Sequence, residues 1–455
     1  MPRRANTLDM VEEGQASRNH IQTPLQHATD TPQNLQASPD HNNQKGQFTL
    51  ENQVRRTLFG GWINVLLLAA PAGIVIWALK VPGPAVFIVN FIAIIPLAAM
   101  ISYATEQIAL RTGDVVGGLI NATFGNAVEL IVAVIALTEN RITVVQTSLV
   151  GSILSNLLLV LGFCFFFGGI NRLEQHLNTT VAQTATSLLA LSIASLILPA
   201  IFSYKTPLPS HTISQLSRGI AIILLLVYLS YLFFQIKTHR AVFDDKSIER
   251  ATQDIFEGQP RVSEDGATSE IIDSTSAALD VETGQTSRRG PSLDRSGPEE
   301  PELHFLVALS TLILCTVIVA LCAEGLVSGI EPISSVVGEE FIGLILIPIV
   351  GNACEHATAV TAAIKNKINL AVSIAIGSSI QVSLFLIPLL IIIGWGIGSQ
   401  EITLAFDTFQ VIVFFIAVLL VNYSISDGKS HWLKGVELVS LYVIIAVCAF
   451  YCPSR

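Results

Sequence analysis

One stretch of this chain occurs twice. From Gly125 it reads GNAVELIVAVIALTENRITVVQTSLVGSILSNLLLVLG, and from Gly351 it reads GNACEHATAVTAAIKNKINLAVSIAIGSSIQVSLFLIPL. The offset is 226 residues (351 − 125), with no gap. Gly125 falls on Gly351, Asn126 on Asn352, Glu129 on Glu355, Asn140 on Asn366, Gly151 on Gly377 and Ser152 on Ser378. Both copies lie inside long apolar runs. A carboxylate at mid-membrane costs ~2.5–3.5 kcal/mol or more, so a buried glutamate marks function by default. Two glutamates at matching places in two copies predict one site built at a repeat interface.

The apolar runs are read as membrane spans because the rest of the composition agrees. Of 455 residues, 51% are hydrophobic and 13% charged, and mean hydropathy is +0.60. A soluble domain carries about a quarter charged residues. The net charge of −10 is concentrated outside the spans: residues 237–303 hold 15 acidic and 8 basic residues, hence −7. The cysteines, Cys164, Cys315, Cys322, Cys354, Cys448 and Cys452, lie in or at the ends of apolar runs without a CxxC pair. They read as small buried hydrophobes, not as a disulfide framework. Residues 1–50 show no apolar core of a signal peptide, so the first span is expected to direct insertion.

The sequence predicts an all-α polytopic membrane protein of about eleven transmembrane helices, at ~20 apolar residues each. The expected spans are 58–79, 84–106, 115–137, 142–170, 181–204, 218–236, 304–328, 339–364, 369–396, 406–426 and 432–452. Residues 1–54, rich in Gln, Asn, Thr, Pro and Ser, read as a disordered cytosolic tail. Residues 55–80 form an extra first helix, 81–236 a first five-helix repeat, 237–303 an acidic cytosolic linker and 304–455 a second five-helix repeat. Five is odd, so the second repeat enters the membrane inverted. Loop charges set the orientation. One side collects Arg55, Arg56, Arg111, Arg172, Lys237, Arg240, Lys365, Lys367, Lys429 and Lys434; the other has Lys80, Arg141, Lys205, Arg218 and Arg455. The first side is expected to be cytosolic, with the N-terminus there and the C-terminus on the far side.

The motif chemistry points to a hard cation. Asn126 and Glu129, and likewise Asn352 and Glu355, are three residues apart and share a helix face. Together they offer two carboxylates and two amide oxygens in a dry place, which suits calcium and its 6–8 oxygen ligands. Ser152, Ser155, Ser378 and Gln381 are candidates to complete the shell, against a simple role in helix packing. Two carboxylates in low dielectric cannot both stay charged, so protons and calcium compete for the same oxygens. Glu106 and Glu324, near opposite ends of the first span of each repeat, read as matched carboxylates of the two access paths. His356, beside Glu355, replaces Leu130 of the other copy; it either relays protons or packs as a satisfied buried histidine. Position 359 is alanine, so no HExxH metalloprotease helix exists. Glu299, Glu300 and Glu302 form either a solvated acidic face or a cytosolic calcium-sensing cluster.

These two signatures resemble those of the cation/proton exchanger family of the calcium/cation antiporter superfamily, most like its fungal vacuolar calcium/proton exchangers. The resemblance spans roughly residues 55–455. It implies an extra first helix, two inverted five-helix halves, an acidic segment before the seventh helix, calcium as substrate and the vacuolar membrane. It implies cation binding at Asn126, Glu129, Asn352 and Glu355, cavity carboxylates at Glu106 and Glu324, and a functional His356. Cys354 and Thr358 depart from the family's small residues, and Ser379-Ile380-Gln381-Val382 departs from its usual run with Thr before Gln. The expected activity is transport: calcium, with manganese as a second candidate, exchanged for protons. No cofactor and no nucleic-acid partner are expected; membrane lipid surrounds the chain, and its oligomeric state is not indicated. A sodium/calcium exchanger of the same superfamily and a non-transporting scaffold or receptor are the rival readings.

Overall fold

The computed structural model describes residues 50–59, 62–112, 114–205, 209–239 and 301–451. Glu299 and Glu300, and most of the expected tail and linker, lie outside these residues. Helix α1 (Leu50–Phe59) begins four residues before the expected end of the tail at residue 54. A 3-10 stretch (Trp62–Leu68) then leads into α2 (Ala69–Ala78). The first repeat follows as α3 (Gly83–Thr112), α4 (Asp114–Phe124), α5 (Ala127–Thr138), α6 (Ile142–Leu154), α7 (Leu161–Gly169), α8 (Thr179–Lys205) and α9 (Ser210–Phe233). The second contains α10 (Phe305–Ser328), α11 (Ile330–Val337), α12 (Glu339–Phe341), α13 (Ile347–Gly351), α14 (Ala353–Ile364), α15 (Ile368–Gln381), α16 (Ile387–Gly396), α17 (Thr408–Ile425) and α18 (Trp432–Tyr451).

Eight helices among the described residues are continuous, apolar and long enough to cross a bilayer, or nine if the pair bent by 109° at Gly338 counts as one. The expected count of eleven continuous spans is therefore not reproduced. The first expected span has only a short apolar helix, Ile63–Ala78. The third is divided into α4 and α5 at Gly125-Asn126, and the eighth into α12–α13 and α14 at Asn352. In each case the motif Gly-Asn is the break itself. Asn126 (φ −106°, ψ 34°) and Asn352 (φ −95°, ψ 7°) sit in or beside the sparsely populated bridge region.

The repeat in sequence is a repeat in structure. α6 continues through a wide π-helical turn, Ser155–Val160, into α7; α15 does the same through Val382–Leu386 into α16. Asn140 (φ 58°) and Asn366 (φ 67°), which are equivalent at the 226-residue offset, both turn the chain between a half-helix and the next helix. Asn tolerates this left-handed geometry better than other residues with a Cβ. The two repeats also run in opposite directions. At the end of α3, Arg111 donates to the Leu303 carbonyl, and the Gln107 side-chain oxygen accepts from Glu302 N (2.7 Å) and Leu303 N (3.2 Å), at the start of α10. At the other end, Gly83 abuts Pro332 and Gly329 abuts Phe87, just past the end of α10. α3 and α10 therefore pack antiparallel along their whole length, as inverted repeats require. Two turns in from that end, a Cβ on Gly325 or on Gly73 would come within 2.5 Å of the buried Asn90 amide, so Asn90 packs α2 and α10 against α3.

One feature departs from an all-α fold. Gln175–His176 (β1) and Lys429–Ser430 (β2) pair antiparallel, with Gln175 opposite Ser430, and join loops of the two repeats. Exposed ion pairs, Lys429 to Glu174 (2.7 Å) and Lys434 to Asp427 (2.8 Å), flank this strap. Lys429 holds the Glu174 carboxyl below its ordinary range.

Gly151 gives a test of the packing. It lies against the Leu344 carbonyl, where a Cβ would collide with backbone, whereas its equivalent Gly377 has no described atom within 4 Å of such a Cβ. Overpacking a tight contact costs about 1–3 kcal/mol. Gly151→Ala is expected to lower the melting temperature of the purified protein clearly, and Gly377→Ala to leave it within a degree or so. Equal shifts would contradict the asymmetry.

Candidate cation site at the two helix breaks

Each break is held by a serine from the opposite repeat. The Asn352 amide donates to Ser152 Oγ at 2.6 Å, and Ser378 Oγ donates to Asn126 Oδ1 at 3.2 Å. Ser152 and Ser378 are equivalent positions, as are the two asparagines, so the same pairing is made twice, with the asparagine donating in one and the serine in the other. All four side chains are buried. Leu130 N to Asn126 O (3.1 Å) and His356 N to Asn352 O (2.9 Å) are the matching first bonds of α5 and α14.

Glu129 and Glu355 occupy the first turns of these half-helices. There the helix macrodipole presents about half a positive charge to a carboxylate. The two carboxylates are close enough to repel one another. A Cβ on Gly351 would come 2.7 Å from Glu129 Oε1, so the glycine of one break makes room for the glutamate of the other. Four buried side-chain oxygens here have no hydrogen-bond partner: Glu129 Oε1, Glu355 Oε2, Asn352 Oδ1 and Asn156 Oδ1. A buried acceptor left unsatisfied costs about 1–3 kcal/mol, so four together need an explanation. They are acceptors of the kind a hard cation would take. Among the described residues no group of three or more His, Cys, Asp or Glu is arranged to hold a metal. The donor set is instead two carboxylates with amide and hydroxyl oxygens, the hard-ligand chemistry of calcium.

The remaining expected residues fall at different distances from this centre. Ser155 Oγ meets His356 Nε2 at 3.1 Å, so His356 is tied to the wide turn of the opposite repeat. Gln381 ends α15 at the equivalent of Ser155. Glu106 lies on α3, exposed, near Cys354 of α14. Glu324 lies on α10, exposed, within electrostatic reach of Glu139 past the end of α5. These two are not in the central cluster. Glu302 accepts from the Tyr103 hydroxyl (3.0 Å), one helical turn from Glu106 on α3.

Asn156 is a site residue that the sequence reading missed. Its amide donates to Ser378 Oγ at 3.0 Å, which extends a chain from Asn156 through Ser378 to Asn126. Its equivalent in the second copy is Val382. Matching the copies finds shared residues, so it passes over this one; its position one turn beyond Ser152 was the available signal.

The two half-helices are not equally covered. Ala127, Val128, Glu129 and Val132 of α5 are buried, whereas their equivalents Ala353, Cys354, Glu355 and Thr358 in α14 are not. Farther along, Ala133, Ala136 and Leu137 and their equivalents Ala359, Ala362 and Ala363 are all buried. The first turns of α14, on the side of Glu106, are therefore more accessible than those of α5.

A sodium/calcium exchanger protein family profile matches residues 82–237 and 307–451. This chain belongs to that family. The vacuolar calcium ion transporter of Schizosaccharomyces pombe is 38% identical over 98% of this chain and 100% of its own length. The Ca(2+)/H(+) antiporter of Aphanothece halophytica is 37% identical over 88% and 98%. The solved structure of native YfkE superposes with a TM-score of 0.66 at 30% identity, over 86% of this chain and 99% of that one. The family's relatives are transporters, and the two breaks, the crossed asparagine–serine bonds and the facing carboxylates lie within the matched segments.

Asn156→Val gives the first repeat the residue of the second and removes the donor to Ser378. Calcium added to the purified wild-type protein is expected to raise its melting temperature, since a ligand of the folded state stabilises it by mass action. In Asn156→Val that calcium-dependent rise should shrink by more than half while the apo melting temperature falls only slightly. An unchanged calcium response would remove Asn156 from the site.

Proposed function

We propose that this chain is a secondary active antiporter that moves calcium out of the cytosol in exchange for protons, by alternating access to the site at the two breaks. The observation that carries this reading is the set of unpartnered buried oxygens, led by Glu129 and Glu355, at matching breaks of inverted repeats. A dication neutralises both carboxylates, and two protons do the same, so one occupant replaces the other. Calcium is cargo here, with manganese as an alternative cargo, and no cofactor takes part.

The relatives named as vacuolar transporters support a vacuolar, multi-pass membrane location. In this reading the face bearing Arg111 and Lys365 is cytosolic, and so is the N-terminus; the face bearing Arg141 is luminal, and so is the C-terminus. The more accessible first turns of α14 then lie on the cytosolic path. The domain division follows: an extra first helix, repeats over 81–236 and 304–455, and a cytosolic linker between them. Ser152, Ser155, Ser378 and Gln381 line or support the site, and His356 relays or positions a proton beside Glu355. Glu299, Glu300 and Glu302 precede α10 in sequence, and an acidic segment on the cytosolic side raises the local cation concentration.

Sodium-coupled exchange is disfavoured by the absence of aspartate from both copies of the duplicated stretch that begins at Gly125 and Gly351. The test is calcium uptake by acidified vesicles from cells lacking their own exchanger. Uptake should collapse with the proton gradient and ignore a sodium gradient; the reverse would overturn the reading. Glu129→Gln and Glu355→Gln should each abolish uptake while the protein still inserts, since each removes half of the charge that balances the cation. Retained uptake in either would exclude the two-carboxylate site. A non-transporting scaffold would show no uptake in the parent protein.

The two outlying carboxylates should act on different sides. Glu106→Gln should weaken apparent calcium affinity from the cytosol severalfold. Glu324→Gln should chiefly slow release or protonation from the lumen. Varying calcium on one side and pH on the other separates the two effects. Identical defects, regardless of side, would place both residues in one common step.

A further inference from the structure

Outside the site, one ion-pair cluster joins the two repeats. Arg141 lies in the turn between α5 and α6, directly before α6, and its guanidinium reaches Glu331 at 2.7 Å and Glu339 at 3.3 Å. Glu331 belongs to α11 and Glu339 begins α12, on either side of the 109° bend that returns the second repeat to its broken span. We propose that Arg141 is the clasp of the luminal gate: it holds the turn after α5 to the α11–α12 bend, and its release is part of opening that face. The proposal rests on the alternating-access reading.

Three observations carry it. First, the clasp is placed where opening must occur. α5 and α10 are the counterparts of α14 and α3, and Arg141 ties the turn after α5 to the segment just beyond α10. Second, the clasp is one-sided. The residue equivalent to Arg141 is Lys367, in the turn after α14, which makes no ion pair among the described residues. On the clasped side the first turns of the half-helix are buried, and on the unclasped side they are more accessible. Third, the surroundings need the cation. Glu139 feels both Arg141 and Glu324. Removing the guanidinium leaves Glu139, Glu324, Glu331 and Glu339 to repel one another across the seam. The side chains of Arg141, Glu331 and Glu339 are 25%, 76% and 29% exposed. Pairs this wet are weak, as a contact broken in every transport cycle has to be.

The symmetry supplies reporters. Val132 is buried in α5, and its equivalent Thr358 is exposed in α14. In a background without the native cysteines, Val132→Cys and Thr358→Cys are labelled with a membrane-impermeant maleimide, applied separately to each face of reconstituted vesicles. With Arg141 present, Thr358→Cys should label readily from the cytosolic face and Val132→Cys slowly from the luminal face. Arg141→Gln should raise the luminal labelling of Val132→Cys about threefold, the scale of a partly exposed ion pair, and lower that of Thr358→Cys. Arg141→Lys should give a smaller change. The swap of Arg141→Glu with Glu331→Arg and Glu339→Arg should return both rates towards the parent. Rescue by the swap separates the clasp from a general loosening of the fold.

Unchanged labelling in Arg141→Gln, or no rescue by the swap, overturns the clasp. If Arg141→Gln does not fold, the Arg141→Lys and swapped proteins decide it by the same rates. Failure of the transport reading is seen separately, as absent proton-driven calcium uptake by the parent protein, and does not depend on the labelling.

Discussion

A hydrogen bond between a serine of one repeat and the asparagine at the helix break of the other is the interaction on which the rest of the centre depends. A broken helix inside a bilayer frees backbone groups that lipid cannot satisfy, so it survives only where protein surrounds it. Ser152 to Asn352 and Ser378 to Asn126 provide that surrounding reciprocally. Neither repeat can complete its own break, so α5 and α6 are bound to α14 and α15. Once both breaks are fixed, Glu129 and Glu355 follow, because each sits three residues past its asparagine on a new helix.

The chain uses its symmetry for the frame and breaks it at the chemistry. The breaks, the wide turns and the left-handed asparagines at 140 and 366 are shared. Asn156 against Val382 and His356 against Leu130 are not. The centre is therefore bordered by two polar side chains, each supplied by one repeat alone. The covering differs as well: the same four positions are buried in α5 and accessible in α14. Two near-identical half-sites in two environments are what a two-state gate needs, because exchanging the environments exchanges the open side.

The sequence made the frame legible because its signals are strong locally. Gly-Asn before a glutamate, twice in apolar runs, marks the site by the cost of burying the carboxylate alone. Span lengths were less legible. Hydropathy sums across Asn126 and Asn352 as though the helix continued, and it gives no sign of the 109° turn at Gly338. Asn156 was hidden by the comparison that exposed the others, since a repeat draws the eye to what recurs. The β1–β2 strap is two residues on each side, too short for a period-two pattern to register. The contacts of Arg141 were equally invisible: a single basic residue in a loop entered the reading only as a charge that orients the chain. Its partners, about 190 and 198 residues away, become neighbours only through the inversion.

The two facing carboxylates also bear on coupling. In a medium of low dielectric, leaving a net charge buried costs several kcal/mol even after the surroundings relax. The partial positive charges at the starts of α5 and α14 offset part of that cost, but they are fixed and cannot follow the ion. A site with both glutamates ionised and no cation is therefore rare, and a site with one monovalent ion still carries a net charge. The neutral occupants are a dication or two monovalent charges, in this reading two protons. Rocking between the open and closed faces carries the site through its most desolvated arrangement, where the penalty on a net charge is greatest. The states that cross are the two neutral ones, so movement in one direction with calcium and in the other with protons follows from the charge of the site. No separate device is needed to forbid the empty return.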